Sequence, residues 1–272
     1  MTRQSREQFR QWTAGVLALL LVGLWSFSLG EGRWYPDPNQ PNLAVRLQPP
    51  SDAHALGTDQ LGRDVAARMI SGARVSLIAG VLGAGVAALI GIVIGAVAGF
   101  AGGKVDAVLM RGVDAVLCFP SLLLILSLAA LLGPGLWNIV LVIGLVNWTI
   151  TSRLMRAELL SLRESTYCEA ARTSGASNGR ILRRHLLPNA LPPILAQVVL
   201  TIPEAIIAEA SLSFLGLGVR PPQASWGNLI ADARPFLLEA WWMLIPPGVA
   251  ILVLTLGFVA IGRLLQRPPV PG

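Results

Sequence analysis

The feature that most constrains this chain is a series of apolar stretches, each close to the length of a membrane span. An α-helix of about 20 apolar residues can cross the hydrocarbon core of a bilayer. Only 13% of the residues are charged, about half of what a soluble domain carries. The sequence therefore predicts an all-α membrane protein with six transmembrane helices, at about 12–29, 75–100, 113–133, 137–156, 193–217 and 244–262.

The distribution of Lys and Arg predicts how the spans are oriented. With the N-terminus inside the cell, the inner segments carry 14 of these residues and the outer segments carry 7. Cytoplasmic loops are enriched in positive charge, so we expect both termini in the cytoplasm. The first apolar run is longer than the roughly 7–15 residues of a signal-peptide core. We therefore expect it to stay in the protein as a membrane anchor.

The same residues exclude several classes of function. The net charge is +6, but the arginines follow the membrane topology and form no basic stripe with aromatic residues between them, so nucleic acid is not an expected partner. Cys118 and Cys168 have no obvious way to meet, which argues against a disulfide framework. With His54 and His185 far apart in the sequence, we expect no metal site and no cofactor.

The spans divide the chain into four regions. These are a cytoplasmic tail with the first anchor (1–30), an outer loop (31–74), a five-helix core (75–263) with an inner loop at 157–192, and a cytoplasmic tail (264–272). In the outer loop Asp64 is a candidate N-cap for a short helix. That helix either lies at the interface and leads into the second span, or forms part of an outer mouth that receives the substrate or a delivery protein.

Gly91, Gly95 and Gly99 repeat every four residues in the second span, so they lie on one helical face. Small residues let helices approach closely in lipid, and this face is expected to pack on another helix.

The fifth span contains two acidic residues, Glu204 and Glu209, next to Pro203. Ionisable groups inside a membrane cost about 2.5–3.5 kcal/mol on insertion scales. Five residues apart, the two glutamates lie about 140° from each other around a helix. Either one of them lines a water-filled path, or one pairs with a polar partner on a neighbouring helix. Pro203 permits a kink there.

The inner loop predicts two short helices. Gly175 is a C-cap candidate for the first helix, Ser177 can cap the second, and Pro188 is expected to close it. The first helix has a ridge of mostly small residues that fits a groove on another protein. Alternatively the loop lies on anionic lipid, attracted by its arginines. The ridge consists of Tyr167, Ala170, Ala171 and Ser174, and the arginines are Arg180, Arg183 and Arg184.

Glu169-Ala170-Ala171, Gly175 and Leu187-Pro188 together resemble the EAA signature of binding-protein-dependent ABC importer permeases. The run from His185 to Ala190 is similar to the dipeptide, oligopeptide and nickel subfamily, of which this chain resembles the C-type partner of the permease pair. Further segments at 56–64, 208–218 and 221–227 also resemble that subfamily. The resemblance covers about residues 55 to 260. It does not reach the tail, where Gly262-Arg263 stands in place of the subfamily's Gly-Asp.

The resemblance implies a type I ABC importer permease fold in a bacterial inner membrane. It implies a second, homologous permease subunit, two cytoplasmic ATP-binding subunits and an extracytoplasmic solute-binding protein as partners, and no bond chemistry in this chain. The residues implied to couple to the ATPases are Glu169, Ala170, Ala171, Gly175, Leu187 and Pro188.

Two questions stay open at this level. Similar permeases carry peptides, nickel or metal chelates; we expect di- or oligopeptides, with nickel as the alternative. The rival classes are an ion-coupled secondary transporter and a membrane-embedded enzyme. A secondary transporter is expected to show repeated halves and coupling-ion residues near mid-membrane. A membrane enzyme requires a nucleophile, base or metal cluster within the spans, and neither histidine lies in one.

Overall fold

The computed structural model describes residues 37–266. The predicted first span, 12–29, and the tail from residue 267 lie outside the described residues. Within that range the chain folds into nine α-helices and several short helical turns. The α-helices are α1 (Val65–Ala101), α2 (Gly103–Leu117), α3 (Ser121–Leu132), α4 (Leu136–Arg163), α5 (Thr166–Thr173), α6 (Asn178–Ile181), α7 (Leu187–Phe214), α8 (Trp226–Ala233) and α9 (Ile245–Leu265).

The long helices run between two ends of the molecule. We call them the loop end, formed by residues 37–64 and α8, and the hairpin end, formed by residues 164–186. Helices α1, α4 and α9 run from the loop end to the hairpin end, and α7 runs back. The apolar core continues along this axis, because buried clusters occur at the loop end, in the middle and at the hairpin end.

Four helical units of the described chain are long and apolar enough to span a membrane, which confirms an all-helical, multi-pass protein. They are α1, α4, α9 extended back to Trp241, and a continuous unit from Asn178 to Phe214. The region predicted as the third span is not one straight helix. Helices α2 and α3 meet at an angle of 86°, and the pair makes a fifth span only if it is counted as one broken unit. The cause is Pro120, which has no N–H to donate and disfavours helical geometry at Phe119.

Helix α1 is longer than the predicted second span. The side chain of Asp64 accepts a hydrogen bond from the backbone N–H of Ala67 at 2.9 Å and so caps the helix. The helix then runs for 37 residues without a break at residue 75. The separate short helix expected before the span is therefore the first part of α1 itself. At a rise of about 1.5 Å per residue, α1 is about 55 Å long, well beyond the hydrocarbon thickness of about 30 Å.

The expectation that Pro188 closes the second hairpin helix is wrong. Pro188 is the second residue of α7, and a π-helical turn, Leu182–Leu186, connects α6 to α7. In that turn the N–H of Leu187 donates to the carbonyl of Leu182, one residue farther back than in an α-helix. A π turn widens the backbone locally, which makes room for a proline ring that would otherwise crowd the preceding turn.

A largely buried group of charged residues, which we call the loop-end charge cluster, fixes the loop to the helices. Arg63 Nε lies 2.7 Å from a carboxylate oxygen of Asp59. Arg68, 2% exposed, lies 3.5 Å from Asp59 and 3.3 Å from Asp232. Two guanidinium groups thus face two carboxylates from the loop and from α8. Buried charges are tolerated when they are paired in this way.

Candidate functional site

The hairpin, residues 164–186, is fixed to the rest of the molecule by a buried apolar face. Cys168, Ile181 and Leu186 are at most 1% exposed. They belong to one core cluster with residues of α4 and α7, namely Met155, Leu159, Ala190 and Ile194. A side chain this closely packed transmits displacement to its neighbours, because protein interiors have few voids. Any force on the hairpin therefore reaches two long helices at once.

The opposite face of the hairpin is open. Glu169, Ala170 and Ser174 are exposed, and Tyr167 is 39% exposed with its ring centroid 6.4 Å from that of His185. Ala171 lies deeper, half-buried against the hairpin's core cluster. Of the four residues that share the ridge in the sequence, three therefore present a surface and one supports it from below.

Gly175 ends α5 in a left-handed conformation with φ of +79°. The N–H of Ala176 donates to the carbonyl of Ala171 at 3.0 Å, which is the six-to-one hydrogen bond of a Schellman cap. An added Cβ at Gly175 would have no atom of the described chain within 4 Å. Glycine is favoured here by the backbone angle, and not by crowding from other atoms of the described chain.

Three arginines of the hairpin lie on its exposed side, and just beyond the hairpin Pro188 is exposed and Leu187 is half-buried. The hairpin thus presents a positively charged flank beside a small, uncharged ridge. Such a positively charged flank could bind either a groove on another protein or an anionic lipid surface. The neighbouring ridge, however, has little apolar area to insert into lipid, which favours the protein groove. The exposed arginines are Arg180, Arg183 and Arg184.

Ion pairs at the hairpin end connect α2 to α4. The guanidinium of Arg156 donates to both carboxylate oxygens of Asp106, with Nη2 to Oδ2 at 2.6 Å. One turn closer to the start of α4, Arg153 forms a second pair with Asp114. Sequence reasoning did not identify either pair. The partners lie 50 and 39 residues apart, and nothing in the local sequence of either helix indicates the contact.

The three glycines of the second span lie where α1 crosses α4. A Cβ added at Gly95 would come within 2.3 Å of the carbonyl oxygen of Ser152, and one at Gly99 within 2.9 Å of that of Arg156. At Gly91 the nearest atom would be 2.6 Å away, on Thr151. Backbone therefore lies against backbone along this crossing.

The two glutamates of α7 have different surroundings. Glu209 is 0% exposed, and its carboxyl group accepts hydrogen bonds from Ser76 of α1 and from Ser213, both at 2.7 Å. Glu204 is exposed, and within residues 37–266 no side chain forms a hydrogen bond or ion pair with it. Glu209 thus joins α7 to α1, whereas Glu204 faces away from the core.

Residues 91–268 match the family described as the inner membrane component of binding-protein-dependent transport systems. A probable D,D-dipeptide transport system permease of Escherichia coli K12 is 41% identical over 252 residues, covering 92% of this chain and 83% of the relative. A dipeptide transport system permease of Alkalihalophilus pseudofirmus is 40% identical over 265 residues, covering 94% and 86%.

A putative peptide transport system permease of Brucella suis is 40% identical over 246 residues, covering 90% of this chain and 83% of the relative. Three relatives thus match almost the whole chain, and the family match contains the hairpin, α7 and α9. The chain therefore belongs to the family of inner membrane permease components of binding-protein-dependent ABC importers.

Proposed function

We propose that this chain is one of two permease subunits of a bacterial ATP-driven importer of di- or oligopeptides. A second, homologous permease completes the path, two ATP-binding subunits lie in the cytoplasm, and an extracytoplasmic binding protein delivers the solute. The names of the three relatives, all of them peptide permeases, support peptides over nickel. The chain itself contributes no catalytic group.

The observation that carries this proposal is the two-sided construction of the hairpin. Its inner face is buried against α4 and α7, and its outer face offers Glu169, Ala170 and Ser174 to a partner. When the ATPases close on ATP, they move the hairpin, and the buried contacts pass that motion to both helices. Solute access then alternates between the two sides of the membrane.

We also propose the type I importer topology, with six transmembrane helices and both termini in the cytoplasm. From the loop end, the described chain crosses to the hairpin end, returns through the bent pair α2 and α3, and ends at the hairpin end with α9. One further span at 12–29 brings the N-terminus to that same end. The predicted inner segments, which include the hairpin, carry 14 of the 21 Lys and Arg residues, as a cytoplasmic face does.

Reconstitution tests the proposed function. The complex of both permeases and both ATPases is placed in proteoliposomes with the binding protein outside, and uptake of a radiolabelled dipeptide is measured. We expect uptake that requires both ATP and the binding protein. Uptake driven by a proton or sodium gradient without ATP would instead identify a secondary transporter.

A further inference from the structure

Three polar residues form a line along one side of α7. Gln197, Glu204 and Ser211 are spaced by seven residues, so they lie on nearly the same helical face. Gln197 and Ser211 are half-buried and Glu204 is exposed. Glu204 lies about 25 Å from the start of α7 and about 15 Å from its end, deep within the apolar stretch. A carboxylate at that depth is costly if it faces lipid, so this face meets something polar.

The positive partner of Glu204 does not come from the membrane-spanning parts of this chain. Five of the six apolar stretches in the sequence contain no Lys, Arg or His, and these include the first, at 12–29. The other stretch contains only Arg153 and Arg156, near its end, and both are paired with aspartates of α2. Glu209, the other glutamate of α7, is satisfied by serine hydroxyls. Glu204 is thus a carboxyl group without a cationic partner among residues 37–266.

An apolar groove begins one turn from Glu204 on the same side of α7. It is lined by Ile207 and Phe214 of α7 together with Leu122 of α3, Ile230 of α8 and Ile251 of α9. Its volume is about 450 Å³, within the range of about 300–1,000 Å³ that small-molecule sites occupy. An acidic group at the edge of an apolar groove suits a ligand with a positive end and a variable, partly apolar body.

We infer that this face of α7 is a solute-binding wall of the translocation path, and that Glu204 binds the positively charged amino group of a peptide in transit. The inference rests on the proposed peptide import and adds a recognition residue to it. Charge complementarity selects the occupant, because a carboxylate pairs with an ammonium group by short, charge-assisted hydrogen bonds. The groove then accepts side chains of differing shape, which the importer of a peptide mixture requires.

The test compares two peptides that differ only in that amino group. Alanyl-alanine and its desamino analogue propionyl-alanine are supplied to proteoliposomes containing the complete complex, each at a concentration that saturates the binding protein. Initial ATP-driven uptake is measured for wild type, Glu204→Gln and Glu204→Asp. We expect Glu204→Gln to lower alanyl-alanine uptake about tenfold, the loss typical of one charged hydrogen bond. Propionyl-alanine uptake should stay at the wild-type rate, and Glu204→Asp should restore much of the lost uptake.

Glu239→Gln is the matched control, because it removes the same charge from an exposed site at the loop end that does not line the groove; the ratio of the alanyl-alanine to the propionyl-alanine uptake rate should be unchanged. Each variant is compared with the wild type for the same peptide and with the same binding protein. Differences in how well the binding protein binds the two peptides therefore cancel in that comparison. Equal losses for both peptides, or no loss for either, would overturn the inference. Loss of the second permease from the purified Glu204→Gln complex would also overturn it, and would assign the counter-charge to that subunit. If the wild-type complex carries neither peptide, the proposed function itself fails.

Discussion

At the residue scale, two explanations can be given for the glycine at the tip of the hairpin, Gly175. Its φ of +79° is one that other residues adopt at a cost, about 1–2 kcal/mol for most side chains. Nothing in the described chain lies within 4 Å of an added Cβ. A side chain here would therefore project toward whatever partner covers the hairpin, and the backbone cost and the partner contact can be tested one at a time.

Three substitutions at Gly175 make that separation. Gly175→Ala adds backbone strain with the least bulk, Gly175→Asn adds bulk but tolerates the left-handed conformation, and Gly175→Asp adds bulk and charge. We expect Gly175→Asp to insert normally and to lose peptide-stimulated ATP hydrolysis, with Gly175→Ala keeping most of it. Membrane insertion and ATPase stimulation of the purified complex are the measurements. Wild-type stimulation in Gly175→Asp would show that the hairpin tip does not contact the ATPases.

The residues also show where sequence reasoning stops. The end of α5 at Gly175 depends on local backbone chemistry, so a short stretch of sequence is enough to indicate it. The roles of Glu204 and Glu209 depend on which face of α7 is covered. Ser76, which donates to Glu209, lies 133 residues away. Helical spacing gives the angle between the two glutamates, but it does not give the direction of the core.

At the element scale, the crossing of α1 and α4 depends on the absence of side chains. Gly95 lies so close to the Ser152 carbonyl that a methyl group forces the two helices apart. Small residues allow such close approach in membranes, where packing takes the place of the hydrophobic effect between helices. The same helix has a glycine without this constraint, Gly85, whose added Cβ would contact no atom of the described chain within 4 Å.

We expect Gly95→Ala to destabilise the folded permease by about 1–3 kcal/mol, the usual cost of overpacking. Gly85→Ala should not destabilise it, and this variant is the direct comparison for Gly95→Ala because it adds the same methyl group to the same helix. Thermal unfolding of each variant in detergent measures the difference. Equal melting temperatures for the two variants would contradict the tight crossing.

The sequence indicates where the long helices lie in the chain better than it indicates how they are arranged relative to one another. Apolar runs locate α1, α4, α7 and α9 in the sequence, because a helix that crosses the membrane requires a continuous apolar stretch. Hydropathy reports how apolar a segment is but not the direction of its axis, so it did not reveal the 86° angle between α2 and α3. The available signal was Pro120 within an apolar run. The pairing of Arg156 with Asp106 depends on how two helices cross, which local sequence does not encode.

At the scale of the whole molecule, the proposed topology makes the hairpin and the segment before α9 lie on opposite sides of the membrane. Ser174 is exposed on the hairpin and Leu238 is 101% exposed at the loop end. The chain has two native cysteines, Cys118 and Cys168, which must first be replaced.

In that cysteine-free background, a membrane-impermeant maleimide should label Leu238→Cys in intact cells whose outer membrane has been made permeable. It should label Ser174→Cys only after the inner membrane is opened. Labelling of Ser174→Cys in the intact cells would reverse the orientation and remove the basis for ATPase coupling through the hairpin. Mass shift of the purified chain is the measurement, and the unsubstituted background provides the blank.

The great length of α1 has a consequence for delivery. A helix of about 55 Å exceeds even the roughly 40–45 Å of a bilayer with its headgroups, and its first turn is held upright by Arg68 in the loop-end charge cluster. In the proposed orientation the first part of α1 extends beyond the periplasmic leaflet. The solute-binding protein would then dock on protein surface that lies above the lipid headgroups. The composition of the surrounding lipid should therefore have little influence on delivery of the solute.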